Sequence, residues 1–130
     1  MQVRIDGRRY NTDKAYRVCG RDNDRTRADF QHEEVCLYRT NRGEYFIHGE
    51  GGAATAWGFE DDNGSRAFGA GIFPVGNKTA AMIADAMKNS HRIRFERHND
   101  WIGSGRAEQD PNGDLVVYIG SVSRFVPSAE

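Results

Sequence analysis

Apolar and polar positions alternate most cleanly between Glu33 and Gly52, and a period of two marks a strand with two distinct faces. Val35-Cys36-Leu37-Tyr38-Arg39 runs up, Asn41-Arg42-Gly43 turns, and Glu44-Tyr45-Phe46-Ile47-His48 returns. A three-residue connection ending in glycine suits a type I turn closed by a left-handed residue, and that turn sets the register. With Thr40 opposite Glu44, the pairs become Arg39 with Tyr45, Tyr38 with Phe46, Leu37 with Ile47 and Cys36 with His48. One face then carries Val35, Leu37 and Ile47. The other carries Cys36, Tyr38, Phe46 and His48, so the hairpin is expected to lie centrally in a sheet covered partly on both sides.

The flanking pattern is more broken. Val3-Arg4-Ile5 and Arg8-Arg9-Tyr10 flank Asp6-Gly7, a pair suited to a type I′ hairpin turn. Thr12 as a cap with Asp13 in the first turn predicts a short helix over Asp13 to Cys19, stopped by Gly20. Arg21 to Arg27 is polar and mixed in sign, hence a loop. Trp57 and Phe59 at strand spacing, with a turn at Asp61-Asp62-Asn63-Gly64, predict a loose hairpin of Ala54–Glu60 and Ser65–Val75. Pro74 cannot donate to a ladder and belongs at an edge or strand end.

Asn77 is read as the cap of a longer helix, Lys78 to Lys88, with Met82, Ile83, Ala86 and Met87 as its apolar stripe. Arg92 to His98 alternates as a strand, and Trp101-Ile102 follows a polar break. Gly105–Gln109 and Leu115–Ile119 flank the turn Asp110-Pro111-Asn112-Gly113, and Ser123 to Glu130 reads as a frayed tail. The sum is a single α+β domain over residues 1–130, mainly an antiparallel sheet built on hairpins, with one long and one short helix.

Composition narrows the functional classes. At 130 residues the chain can close one hydrophobic core. The formal net charge of −1 excludes the global positive field of a non-specific nucleic-acid binder. The charge is uneven: residues 1–43 carry ten Lys/Arg against seven Asp/Glu, and residues 44–90 carry three against six. Two cysteines, Cys19 and Cys36, are too few for a disulfide framework, so a reduced cytoplasmic setting is expected. MQVRIDGRRY lacks the apolar core of a signal peptide, and no apolar run approaches a membrane span.

Three candidate sites follow. In His48-Gly49-Glu50-Gly51-Gly52, successive glycines let backbone N–H groups converge on an anion, and His48 adds a donor for a nucleotide or phosphorylated small molecule. The competing reading is a strand exit or a close backbone crossing. His32, Cys36 and His48 supply three candidate zinc ligands, but no fourth ligand has recognisable spacing, and neither a metal nor a cofactor is assigned. Arg8, Arg9, Arg21, Arg25 and Arg27, with Arg4, form a candidate phosphate-contacting set, and Tyr10 or Trp101 is available to stack a base. Asp22, Asp24 and Asp29 interrupt it. Neither cysteine has an obvious activating base beside it, and Glu33-Glu34 and Glu60-Asp61-Asp62 read as edge and turn charges, so no catalytic residue is assigned.

Ile5-Asp6-Gly7-Arg8-Arg9-Tyr10-Asn11-Thr12-Asp13-Lys14-Ala15, Leu37-Tyr38-Arg39-Thr40, Gly43, Tyr45-Phe46-Ile47, His48-Gly49-Glu50-Gly51-Gly52-Ala53 and Ile72-Phe73-Pro74-Val75 together resemble a family of small uncharacterised proteins carried by bacteriophages and integrative mobile elements. The likeness spans residues 1–90. The alanine- and methionine-rich helix departs from the acidic, tryptophan-bearing one of the family, and the strands of 91–122 look like an addition. The resemblance implies a non-enzymatic binding protein in the bacterial host cytoplasm, an anti-CRISPR-like inhibitor of host defence acting by occlusion. An acidic middle third, with Glu44, Glu60, Asp61 and Asp62, would then face a basic channel of a protein partner, with Trp57, Phe59 and Phe68 as apolar anchors. Nucleotide capture and weak nucleic-acid binding remain the alternatives, and exposed strand edges leave a homodimer open.

Overall fold

The computed structural model describes residues 1–5, 7–26, 28–97 and 105–120, together with the backbone of 126–127. In chain order the elements are β1 (Gln2–Ile5), β2 (Arg8–Asn11), β3 (Tyr16–Asp22), β4 (Glu33–Arg39), β5 (Tyr45–Gly51), β6 (Phe59–Glu60) and β7 (Arg66–Ala67). Then come β8 (Gly69–Val75), α1 (Asn77–Lys88), β9 (Ile93–Arg97), β10 (Ala107–Gln109), β11 (Leu115–Ile119) and β12 (Val126–Pro127). The expected α+β class and hairpin-built antiparallel sheet are observed. The second, short helix is not.

The β4–β5 hairpin is the middle of a five-stranded antiparallel sheet of order β12-β8-β5-β4-β3. Its register is the expected one, with Arg39 opposite Tyr45, Tyr38 opposite Phe46, Leu37 opposite Ile47 and Cys36 opposite His48. The turn closes through Thr40 N–H to the Glu44 carbonyl at 2.8 Å and Gly43 N–H to the Thr40 carbonyl at 2.9 Å, with Gly43 at φ +85°.

The two sheet faces are covered differently. On the inner face Val35, Leu37, Ile47, Phe73 and Val75 pack with Ala80, Ile83 and Ala86 of α1, with Trp57, and with Leu115, Val117 and Ile119 of β11. On the outer face Phe46 and Ile72 are covered by Ile5 and Tyr10 of the β1–β2 hairpin, with Tyr10 edge-on to Phe46 at 5.5 Å. That hairpin covers only the end of the outer face nearest the β4–β5 turn. Beyond it along β4 and β5 lie Cys36 with His48, and then Glu34 with Glu50.

Residues 13–19 are the main departure. Asp13–Ala15 is a turn and Tyr16–Asp22 pairs with β4 as an edge strand. The Thr12 hydroxyl accepts from the chain's amino terminus at 2.8 Å instead of capping a helix. A register shift between Arg17 and Cys19 absorbs Val18, which breaks the alternation that would have marked a strand. Gly20 therefore lies within β3 and does not stop a helix.

Other differences are smaller. The N-cap of α1 is Gly76, not Asn77, with no side-chain cap bond, and Thr79 and Ala80 join Ile83 and Ala86 as its buried residues. The loose hairpin shrinks to β6–β7, closed by Asp61 N–H to the Ser65 carbonyl at 2.9 Å, and β8 is a separate central strand. Pro74 sits near the end of β8, and among the described residues β12 pairs with Gly69 and Ala70 at the opposite end. β9 pairs in parallel with β11, which also forms the expected antiparallel hairpin with β10. Val126–Pro127 of the expected tail pairs with β8. Arg27, His98, Trp101-Ile102 and most of 121–130 lie outside the described residues.

Candidate functional site

The glycine run after His48 is strand through Gly51 and not the open loop expected from sequence. Gly49, Glu50 and Gly51 belong to β5 and are paired on both sides, with β4 and with β8. Gly52 donates to the His32 carbonyl at 2.9 Å. Their lack of side chains serves close packing instead. A Cβ on Gly49 would stand 2.3 Å from the Trp57 ring, one on Gly51 2.3 Å from Thr55 Oγ1, and one on Gly52 2.4 Å from the Phe30 carbonyl oxygen. None of the three has positive φ. Of the competing reading, the close backbone crossing is found at Gly51 and Gly52, beside the His32 and Phe30 carbonyls, without positive φ or a bulge, while Gly49 meets a side chain. Burial lowers the basicity of His48, partly opposed by Glu50, so its imidazole is held neutral at pH 7.

The expected partner-binding surface is also dispersed. Trp57 is wholly buried, with ring centroids 5.8 Å from Phe73 and 5.4 Å from Phe95. Its indole N–H donates to Glu33 at 3.0 Å, and burial pushes the Glu33 carboxyl above its ordinary value. Phe68 stacks on His32 at 5.8 Å. Glu44 is taken up by Arg8 at 2.5 Å and Arg42 at 2.8 Å. Phe59 is half-buried, and only Glu60, Asp61 and Asp62 remain as exposed acids at the β6–β7 tip. Asp61 there accepts the Asn63 and Ser65 N–H groups at 2.9 Å each.

The arginines divide into separate groups. Arg21 donates to the Ala86 and His91 carbonyls and finishes α1. Arg25 pairs with Asp29 at 3.1 Å. The β1–β2 ribbon, by contrast, gathers Arg4, Arg8 and Arg9 with Arg42 of the β4–β5 turn around a shallow depression of about 550 Å³.

Register places Arg4 and Arg9 on one side of the ribbon and Arg8, opposite Ile5, on the other. Val3, Ile5 and Tyr10 turn inward, so Gln2, Arg4, Arg9 and Asn11 share the solvent side of the ribbon, with Arg4 directly opposite Arg9. No carboxylate pairs with either Arg4 or Arg9 among the described residues, and Glu44 is shared by Arg8 and Arg42. Those two hydrogen bonds, Arg42 first and then Arg8, hold Glu44 below the usual carboxylate range. Arg42 also donates to the Arg9 carbonyl at 3.2 Å, which fastens the ribbon to the turn. Tyr10 is buried beneath and is not available to stack a base.

No family model, no curated protein and no solved structure matches the chain.

Two further features stand apart from that cluster. A cleft of about 510 Å³ between the sheet and β9 has Glu33, Arg21, Arg92 and Arg94 among its lining residues. Arg94 is engaged there by Glu96 and Asp110 at 3.0 Å each. On the outer sheet face, His32 meets Glu34 and Glu50, with one ligand atom from each within 4.8 Å of the others. The cysteines take no part in either. Cys36 Sγ accepts from Arg17 Nε at 3.4 Å, and Cys19 packs on the opposite face. The trio of His32, Cys36 and His48 weighed from sequence is thus replaced by His32, Glu34 and Glu50. Among the described residues no helix is long and apolar enough to cross a membrane.

Proposed function

We infer that the protein is a non-enzymatic binding module whose contact surface is the Arg4, Arg8, Arg9 and Arg42 cluster, and that its partner is a nucleic-acid phosphate backbone. The observation that carries this reading is the pairing of Arg4 with Arg9 across the ribbon, with no acid paired to either among the described residues. Like charges directly opposite on antiparallel strands destabilise the pair by a few tenths to about 1 kcal/mol. An anion lying between them converts that cost into binding energy. Arg8 and Arg42 flank the pair, and Glu44 fixes both in place before the partner arrives, so little side-chain freedom is left to lose on association.

The arrangement fits backbone contact without base readout, because guanidinium groups match phosphate geometry and no aromatic ring is exposed among the residues lining the depression. Fluorescence anisotropy of a labelled oligonucleotide against the wild type and an Arg4→Gln/Arg9→Gln variant tests it. Binding that weakens at least about tenfold in the variant supports the reading. Equal binding by both proteins, or none by either at low salt, refutes it. The anti-CRISPR-like inhibitor reading rests on the resemblance alone, and Trp57, Phe68 and Glu44, which it required at the surface, are engaged in internal contacts.

A further inference from the structure

We propose that His32, Glu34 and Glu50 form a site for a first-row divalent cation, Zn²⁺ or Mn²⁺, on the outer face of the central sheet. Glu34 and Glu50 stand directly opposite each other in the β4–β5 ladder, a placement in which two carboxylates repel. Both are half-buried, which weakens the screening of that repulsion. With His32 they bring one imidazole nitrogen and two carboxylate oxygens to a common point.

His32 supplies the independent observation. Its side chain is only 5% exposed, and its Nδ1 lies 2.6 Å from the Arg25 carbonyl oxygen. A carbonyl only accepts, so Nδ1 carries the hydrogen, and in the neutral ring that leaves the Nε2 lone pair free. That Nε2 is buried with no hydrogen-bond partner among the described residues. A buried polar atom left unpaired is costly. A histidine oriented through Nδ1–H to a backbone carbonyl, with Nε2 open, is the usual arrangement behind a metal-ligating imidazole. Phe68 stacked on the ring holds its plane.

The dimensions suit an ion. Three atoms within 4.8 Å of one another leave a central point at most about 2.8 Å from each. Zinc bonds to nitrogen and carboxylate oxygen are about 2.0–2.2 Å long. Under an ångström of inward movement by the two flexible glutamates closes the difference. One imidazole with two carboxylates is a borderline donor set, which suits Mn²⁺ or Zn²⁺ better than the all-oxygen ions Mg²⁺ and Ca²⁺. Bound there, the ion ties the segment before β4 to β4 and β5.

The test is titration calorimetry of chelator-treated protein with ZnCl₂, MnCl₂ and MgCl₂, beside a Glu34→Gln/Glu50→Gln variant. The urea midpoint and circular dichroism of the variant, compared with the wild type, separate a loss of binding from a loss of structure. The expected result is one ion per chain, with affinity for Zn²⁺ or Mn²⁺ at least about tenfold weaker in the variant. In ¹⁵N spectra of the imidazoles, Zn²⁺ moves the His32 Nε2 resonance while Nδ1 keeps its proton. No binding of Zn²⁺ or Mn²⁺, undiminished binding by the variant, an unmoved His32, or Mg²⁺ bound as tightly as Mn²⁺ would each overturn the assignment.

Discussion

Replacing Gly49 with alanine separates a packing role for the glycine run from a ligand-binding one. The added methyl would meet Trp57 Cε2 and Cζ2 at 2.3 Å and Cδ2 at 2.5 Å, where carbon atoms rest at about 3.5–4.0 Å. The indole cannot swing away freely, because Phe73 and Phe95 pack on it and its N–H is bonded to Glu33. Nor can β5 retreat, since β4 and β8 pair with it on both sides. Overpacking of this kind costs about 1–3 kcal/mol, and three simultaneous clashes with a confined ring place the loss near the upper end.

Urea denaturation should therefore show a lower midpoint at unchanged slope, a loss of about 3 kcal/mol, and a melting temperature lower by about 10 °C. The same substitution made in a Trp57→Leu background, where the ring is gone, should cost at least about 1 kcal/mol less, a coupling that a double-mutant cycle isolates. A loss under about 0.5 kcal/mol, or costs that add independently in the two backgrounds, would show that Gly49 is not held to glycine by Trp57.

Further outcomes follow from individual contacts. Glu33→Gln keeps an acceptor for the Trp57 indole while removing a half-buried charge, so the urea midpoint at pH 7 should rise; a fall would mean that the charge itself is required. Arg21→Met strips the Ala86 and His91 carbonyls of their guanidinium donor and should cost about 1 kcal/mol in the same assay, with retained stability refuting the contact. Because Glu44 is held below its ordinary value of 4.5 in the folded chain, its ion pairs contribute stability above that pH. That contribution is lost as pH falls through the lowered value. Melting temperatures measured from pH 5 down to pH 2 should fall less steeply in Glu44→Gln than in the wild type, and parallel curves would dismiss the pairing.

The central hairpin was legible because its turn chemistry and its alternation agree. Gly43 at the left-handed position fixes the register, and every pair from Arg39/Tyr45 to Cys36/His48 follows. The segment 13–19 was not, because Thr12, Asp13 and Gly20 imitate the start and stop signals of a helix, while the strand formed instead is made by pairing with β4 and carries a bulge. Local propensity yields there to a tertiary contact.

The glycine run misled for a related reason: what fills the space over Gly49 is Trp57, whose position no local pattern specifies. The metal-ligand cluster was within reach of the sequence. Extending the register two residues past Cys36/His48 sets Glu34 against Glu50, two carboxylates side by side on the outer face. Only the inward turn of His32 needed coordinates. In the same way the Asp-Gly turn implied Arg4 opposite Arg9, the pair at the centre of the arginine cluster.

The most direct test of the arginine surface is the salt dependence of its affinity for duplex DNA. Neutralising two to three phosphates predicts a slope of log K against log salt of about −2 to −3, reduced to near −1 or less by Arg4→Gln/Arg9→Gln. A slope near zero for the wild type, or one that the double substitution leaves unchanged, would contradict the account.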